Sequence, residues 1–176
     1  ADSSGEFINL ENVSRVYVQD GSVKAETADG DSCVPLYEAK CVHLFDHRWS
    51  SYEGEWINVA DGQKRNPGLE VQTRYWVAAS RLKERLDTKS WSRNWLMGWR
   101  DIARATDERT VIASFFPRVA AAHTLRVMFI RGGAQEAAFF VGCLSSLVFD
   151  YLARQKVGGT HLTVETLKQL PIPNPL

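Results

Sequence analysis

No phosphate-cradling glycine loop followed by Lys-Ser/Thr, no Gly-x-Gly-x-x-Gly and no Gly-x-Ser-x-Gly occurs in the 176 residues. No internal repeat is present either. Cysteine is scarce. Cys33, Cys41 and Cys143 are widely spaced and odd in number, which argues against a disulfide framework and for a reducing compartment. The longest apolar run, Ala137 to Phe149, is broken by Gly142 and Ser145-Ser146 and ends at Asp150, well short of a membrane span. No signal peptide is expected. The expectation is a cytoplasmic protein with no membrane segment, and the start at Ala1 without Met reads as a piece of a longer parent chain.

Net charge is also missing, with 21 Lys/Arg against 21 Asp/Glu, but the balance conceals a division. Residues 1–73 carry 6 basic and 13 acidic side chains, whereas residues 74–161 carry 14 basic and 7 acidic ones. An anionic partner would be attracted to the later part, with the acidic part facing elsewhere, toward another region of the parent chain.

What is present fits one domain of ordinary size with a substantial core. Residues 1–35 read as an opening segment and a hairpin, with Val13, Val16, Tyr17 and Val18 on one strand, a turn at Asp20-Gly21 and a return through Val23 to Thr27. Leu36 to Trp49 alternates as a strand, and Ser51 to Leu69 has loop composition. Val71 to Ala79 predicts a strand, followed by a short amphipathic helix from Arg81 to Leu86 capped by Ser80. Trp91, Trp95 and Trp99 lie four apart, as in a helical stripe. The favoured reading is instead a strand from Trp95 with a bulge at Gly98, paired through a turn near Thr106-Asp107 with a second strand from Arg109 to Phe116. Leu125 to Ile130 suggests another strand. From Ala134 to Gln155 the apolar spacing predicts a long buried helix, and Thr163 caps a short one through Leu170. The expected fold class is α+β: a mixed, largely antiparallel sheet with a long buried C-terminal helix and short flanking helices.

The chain is organised around Trp99 to Thr110, which sets Arg100, Arg104 and Arg109 among Asp101, Asp107, Glu108 and two threonines. Arginine forks suit phosphate oxygens and guanine edges, and nearby carboxylates can hold a fork in one pose. Alternatively, these charges pair with one another on a solvated surface, where each pair contributes little. Beyond the long helix come Arg154, Lys156, Gly158, Gly159 and His161. Paired glycines let a backbone approach a ligand and the cations favour an anion, yet a glycine is also the ordinary end of a helix.

Two metal readings arise from the strand at 36–49. Cys41, His43 and His47 would share a face, but ligands strung along one strand diverge and no Cys-x-x-Cys accompanies them. Glu38-Ala39-Lys40 resembles half of a Mg²⁺ nuclease site, with Asp29 or Asp31 as the missing acid. Asp87-Thr88-Lys89 matches the same loose pattern.

Three ordered blocks, Leu36 to Arg48, Trp99 to Thr110, and Leu147 to Leu162 with Leu167-Lys-Gln-Leu-Pro171, resemble the C-terminal target-recognition region of large adenine-specific DNA methylases of Type IIG restriction-modification and related phage-defence systems. The resemblance spans most of residues 36–173 and leaves residues 1–35 outside. It implies a division into 1–35 and a target-recognition domain at 36–176. It also implies double-stranded DNA as partner and an upstream methyltransferase domain that uses S-adenosylmethionine to methylate adenine N6 on a flipped base. No cofactor is expected in this fragment. The Asn-Pro-Pro-Tyr-type motif of such enzymes is missing, since Asn66-Pro67-Gly68 and Asn174-Pro175-Leu176 lack its aromatic residue. The fragment itself therefore reads as recognition without catalysis. The candidate DNA-binding residues are Arg100, Arg104, Arg109, Arg154, Lys156, Gly158, Gly159 and His161, with Asp46, His47 and Arg48 as braces. The alternatives are the Mg²⁺ nuclease of Glu38 and Lys40, and a protein-interaction domain whose tryptophans are simply core.

Overall fold

The computed structural model of the chain describes residues 7–19 and 22–173. Strands β1 (Ile8–Asn9), β2 (Val13–Gln19), β3 (Ser22–Thr27) and β4 (Ser32–Tyr37) open the fold. They are followed by β5 (Ser50–Tyr52), β6 (Trp56–Asn58), helix α1 (Asp61–Lys64), β7 (Tyr75–Ala78) and α2 (Ala79–Asp87). The later part holds β8 (Trp95–Arg100), β9 (Ala113–Pro117), β10 (Ala120–Ala121) and β11 (Leu125–Met128). Helices α3 (Ala134–Ser145), α4 (Leu147–Lys156) and α5 (Val164–Lys168) complete it. The class is α+β, with largely antiparallel sheets.

The first sheet runs β1-β7-β4-β3-β2, and β10 pairs in parallel with the end of β4. Its central strand, β4, is buried from Cys33 to Tyr37, as a strand with neighbours on both edges and elements over both faces must be. The hairpin of β2 and β3 matches the alternation of valines, while its turn at Asp20-Gly21 lies outside the described residues. Because β4 runs across residues 35 and 36, the opening strands share a sheet with β7.

The second sheet, β11-β8-β9, is antiparallel. On β8, Leu96 packs with Tyr37, Val42, Phe116 and Val119, whereas Met97 packs with Ala137 and Val141 of α3 and Trp99 with Phe149 and Ala153 of α4. This strand is thus the middle layer between the first sheet and the helices. Burying each large side chain on it contributes roughly 1.5–3 kcal/mol. The tryptophans belong to this core. Trp91 and Trp95 meet edge to face at 5.3 Å, and the Trp99 indole donates to the Leu162 carbonyl at 2.8 Å.

Several expectations are corrected. The strand expected over 36–49 ends at Tyr37, because Glu38 opens a 3-10 turn over Ala39–Cys41 and Phe45 has a left-handed φ of 57° that no strand admits. Ser51 to Leu69 is not loop throughout, since β5 and β6 form a hairpin and α1 follows. Ser80 lies within α2 and does not cap it. The long helix divides at Ser146, where α3 and α4 meet at a 62° bend. Ser146 is extended, its hydroxyl accepting from the Phe149 N–H as an N-cap, so the serine competes for the backbone and restarts the helix. The bend also leaves Leu147, Val148 and Tyr151 exposed, so α4 is buried on one side only. No single helix among the described residues is long and apolar enough to cross a membrane.

Gly98 is not at a bulge. It pairs in regular register with Ser114 and Val127, and a Cβ there would stand 2.1 Å from the Arg126 carbonyl oxygen. Close approach of β11, not bulge geometry, requires the glycine. Gly98→Ala should lower stability by about 1–3 kcal/mol through overpacking, measured by urea unfolding.

Candidate functional site

The connection from β8 to β9 carries most of the candidate residues, and the segment after α4 runs beside it. The Ala103 N–H donates to the Thr160 carbonyl at 3.0 Å and the Leu162 N–H to the Asp101 carbonyl at 2.7 Å. The connection is closed from below by Asp150. One Asp150 oxygen accepts the N–H groups of Thr110 and Val111, both at 2.8 Å, and the other accepts Arg154 Nε at 2.9 Å. The Arg109 Nε lies 3.4 Å away. Burial alone would raise the Asp150 pKa, but the Val111 N–H and the Arg154 and Arg109 guanidinium groups outweigh it and hold the carboxyl below its usual range.

The blocks that carry the family resemblance meet here. Arg100 donates through Nε to the Val42 carbonyl at 2.8 Å, joining the first block to the second. Asp101, Ala103 and Trp99 join the second to the third through His161, Thr160 and Leu162.

These contacts divide the candidate residues into two groups. Arg100, Arg109 and Arg154 turn inward. Arg109 donates to the Ser145 carbonyl at 2.6 Å, and Arg154 reaches the Ala105 and Glu108 carbonyls at 2.9 and 2.5 Å. Arg100 and Arg154 spend their forks on carbonyls of the fold and Arg109 on the Ser145 carbonyl and the Asp150 ion pair, so all three brace the loop. Arg104 and Lys156 are exposed, and among the described residues neither side chain has a hydrogen-bond or ion-pair partner. The Arg104 backbone is nevertheless fixed, its N–H donating to Asp107 at 2.9 Å and its carbonyl accepting from the Thr110 hydroxyl at 3.1 Å.

Gly158 and Gly159 are exposed as well. Neither has a positive φ, a Cβ on either would meet nothing within 4 Å, and α4 ends on an extended Val157. Helix termination therefore does not account for them. His161 stands beside them with its Nδ1 2.8 Å from an oxygen of buried Asp101, whose other oxygen accepts from Arg126 Nε at 3.0 Å. Burial would raise the Asp101 pKa, but the hydrogen bonds from Arg126 and His161 lower it below the usual range. The carboxylate holds the imidazole through Nδ1 and leaves the side chain half exposed.

Asp150, which closes the connection, was not singled out by the sequence, and Asp101 was named only as one of the carboxylates that could hold an arginine fork, not as the partner of His161. The available signal was an acid set within the apolar run Phe149-Asp150-Tyr151.

The nuclease set is not assembled. Asp31 immediately precedes β4 and Glu38 immediately follows it, about 20 Å apart along a six-residue strand, and Asp29 lies in the turn before Asp31. Burial raises the Glu38 pKa, and its Oε1 is buried without a partner beside a cavity of about 300 Å³ that Tyr75, His123 and Thr124 also line. Lys40 is exposed. Cys41, His43 and His47 do not share a strand face, and no group of metal-ligating side chains occurs among the described residues.

The turn of the first block is braced too. His43 and Asp46 exchange backbone hydrogen bonds, and Asp46 accepts Lys64 Nζ and the Arg48 N–H, both at 2.8 Å. Arg48 donates to the Asn66 and Lys64 carbonyls. At its tip Phe45 holds a left-handed backbone, which costs an L-residue about 1–2 kcal/mol.

Arg104, Lys156, Gly158, Gly159 and His161 line none of the three main clefts. All five are exposed, on two segments that the Ala103–Thr160 and Leu162–Asp101 hydrogen bonds hold side by side, unlike residues of the concave sites that enclose small substrates. Asp101 and Asp150 contribute stability that is complete above the ordinary aspartate value of 3.8 and is lost as the pH falls through their lowered folded-state values. Urea unfolding from neutral into the acid range should show this loss. Asp150→Asn should flatten the profile there and destabilise the neutral protein by roughly 3–5 kcal/mol. No protein-family model matches the chain, and no curated protein or solved structure matches it significantly.

Proposed function

We propose that this chain is a DNA target-recognition domain that selects the site for an adenine-N6 methyltransferase upstream in the parent chain, of the restriction-modification or phage-defence type. One observation carries the reading. The three blocks that resemble such regions converge on one braced loop, and the groups left facing outward are those that suit DNA. Arg104 and Lys156 are exposed cations whose side chains have no partner among the described residues. The Gly158-Gly159 backbone leaves room for a phosphate strand, and His161 offers a half-exposed ring held through Nδ1.

Phosphate contacts position the domain, while Arg104 and His161 are placed to read base edges. Arg100, Arg109 and Arg154 act through the fold by holding that loop. S-adenosylmethionine and the methyl-transfer step belong to the parent's upstream domain, and the role of this chain is selection.

A protein-interaction domain is the second reading, favoured by the exposed apolar face of Leu147, Val148 and Tyr151 on α4. The two readings predict different losses. On a pool of short duplexes, Lys156→Ala should weaken binding and lower the salt slope by about 1, while Arg104→Ala should weaken it and relax the sequence preference, both without loss of thermal stability. Arg154→Ala should instead lower the melting temperature. Binding unchanged by both outward substitutions would remove the recognition reading.

A further inference from the structure

The turn from His43 to Asp46 presents a bulky apolar ring to water in a conformation that ordinarily favours glycine or asparagine. Phe45 is 71% exposed, and its φ is 57°. Nothing in the packing of the ring accounts for it, since Phe45 belongs to none of the buried clusters.

The strain is held by rigid surroundings. The His43 N–H donates to the Asp46 carbonyl at 2.6 Å and the Asp46 N–H returns to the His43 carbonyl at 3.1 Å. The His43 ring stacks on Trp49 at 4.1 Å, and Lys64 covers the same indole at 4.9 Å while pairing with Asp46. A backbone outlier fixed in this way, at the tip of a turn and away from the core, is where function and strain coincide.

The turn also stands next to the open face. Val42, immediately before it, receives the Arg100 fork at the end of β8, from which the Arg104 loop departs.

We propose that Phe45 is a wedge that enters a base step of the duplex held by the Arg104 face, unstacking it, and that the braced left-handed turn keeps the ring projected for that purpose. Apolar side chains that part base steps need this combination of exposure and rigidity, because a ring free to fold back would surrender the energy needed for unstacking. The inference rests on the DNA reading above.

The test uses this chain with short duplexes of randomised flanks that carry 2-aminopurine at one central step. Binding and 2-aminopurine emission are measured for the wild type, Phe45→Gly, Phe45→Leu and Arg104→Ala, together with each melting temperature. The wild type should raise the emission several-fold on binding. Phe45→Gly should bind without the rise and melt no lower than the wild type, because glycine relieves the left-handed strain. Phe45→Leu should retain part of the rise. Arg104→Ala should weaken binding while bound complexes keep the elevated emission. An unchanged rise with Phe45→Gly overturns the wedge and leaves DNA recognition standing. A fall in melting temperature with Phe45→Gly and no change in emission assigns the ring to the fold and also overturns it. Absence of wild-type binding at low salt overturns the DNA reading, and the wedge with it.

Discussion

Asp150 is almost wholly withdrawn from water, and its carboxylate accepts three hydrogen bonds beside the Arg109 guanidinium. A buried carboxylate without such donors would cost far more than a small domain can spare. The β8–β9 connection therefore has to close over it, with the Thr110 and Val111 N–H groups pointing down. Its position in the first turn of α4 helps, since the positive end of the helix dipole favours a negative charge there. The placement of Arg104 follows from this closure, because its carbonyl is held by the Thr110 hydroxyl two bonds from the same anchor.

Arginine serves two purposes in this arrangement. Arg100 and Arg154 satisfy backbone carbonyls of segments without regular structure, and Arg109 satisfies the Ser145 carbonyl at the end of α3. The planar fork reaches two acceptors at once, as Arg154 does with Ala105 and Glu108, and lysine could not replace it there. What remains outward is small in number but fixed in place. A recognition surface needs few contacts if their positions are preorganised, and the inward arginines supply that preorganisation.

Much of the fold was legible. The hairpin of β2 and β3, the pairing of β8 with β9 and the Thr163 cap of α5 follow from alternation and capping chemistry, although β9 begins at Ala113 and not at Arg109, because residues 109–112 belong to the connection that Asp150 closes. The segment from Glu38 to Trp49 was misleading. Its apolar and polar residues alternate, yet a 3-10 turn and a braced tight turn produce that alternation as readily as a strand. At Ser146 the apolar periodicity continues across a 62° bend, because both helices face the same core and the break lies in one capping serine.

The sequence by itself determined the class of fold, the surplus of basic residues after residue 73 and the stretch on which they converge, since composition and spacing are properties of the chain alone. It also drew attention to the paired glycines and His161. Only the tertiary structure decided which arginines face inward, that Asp101 orients His161, and that Phe45 projects from a strained turn next to the same loop. Those outcomes depend on partners tens of residues away: Arg100 with Val42, Asp101 with His161, and Thr110 with Asp150. A charged side chain is committed to brace or to ligand by the acceptors that folding brings within about 3 Å of it, and local sequence carries no record of which these will be.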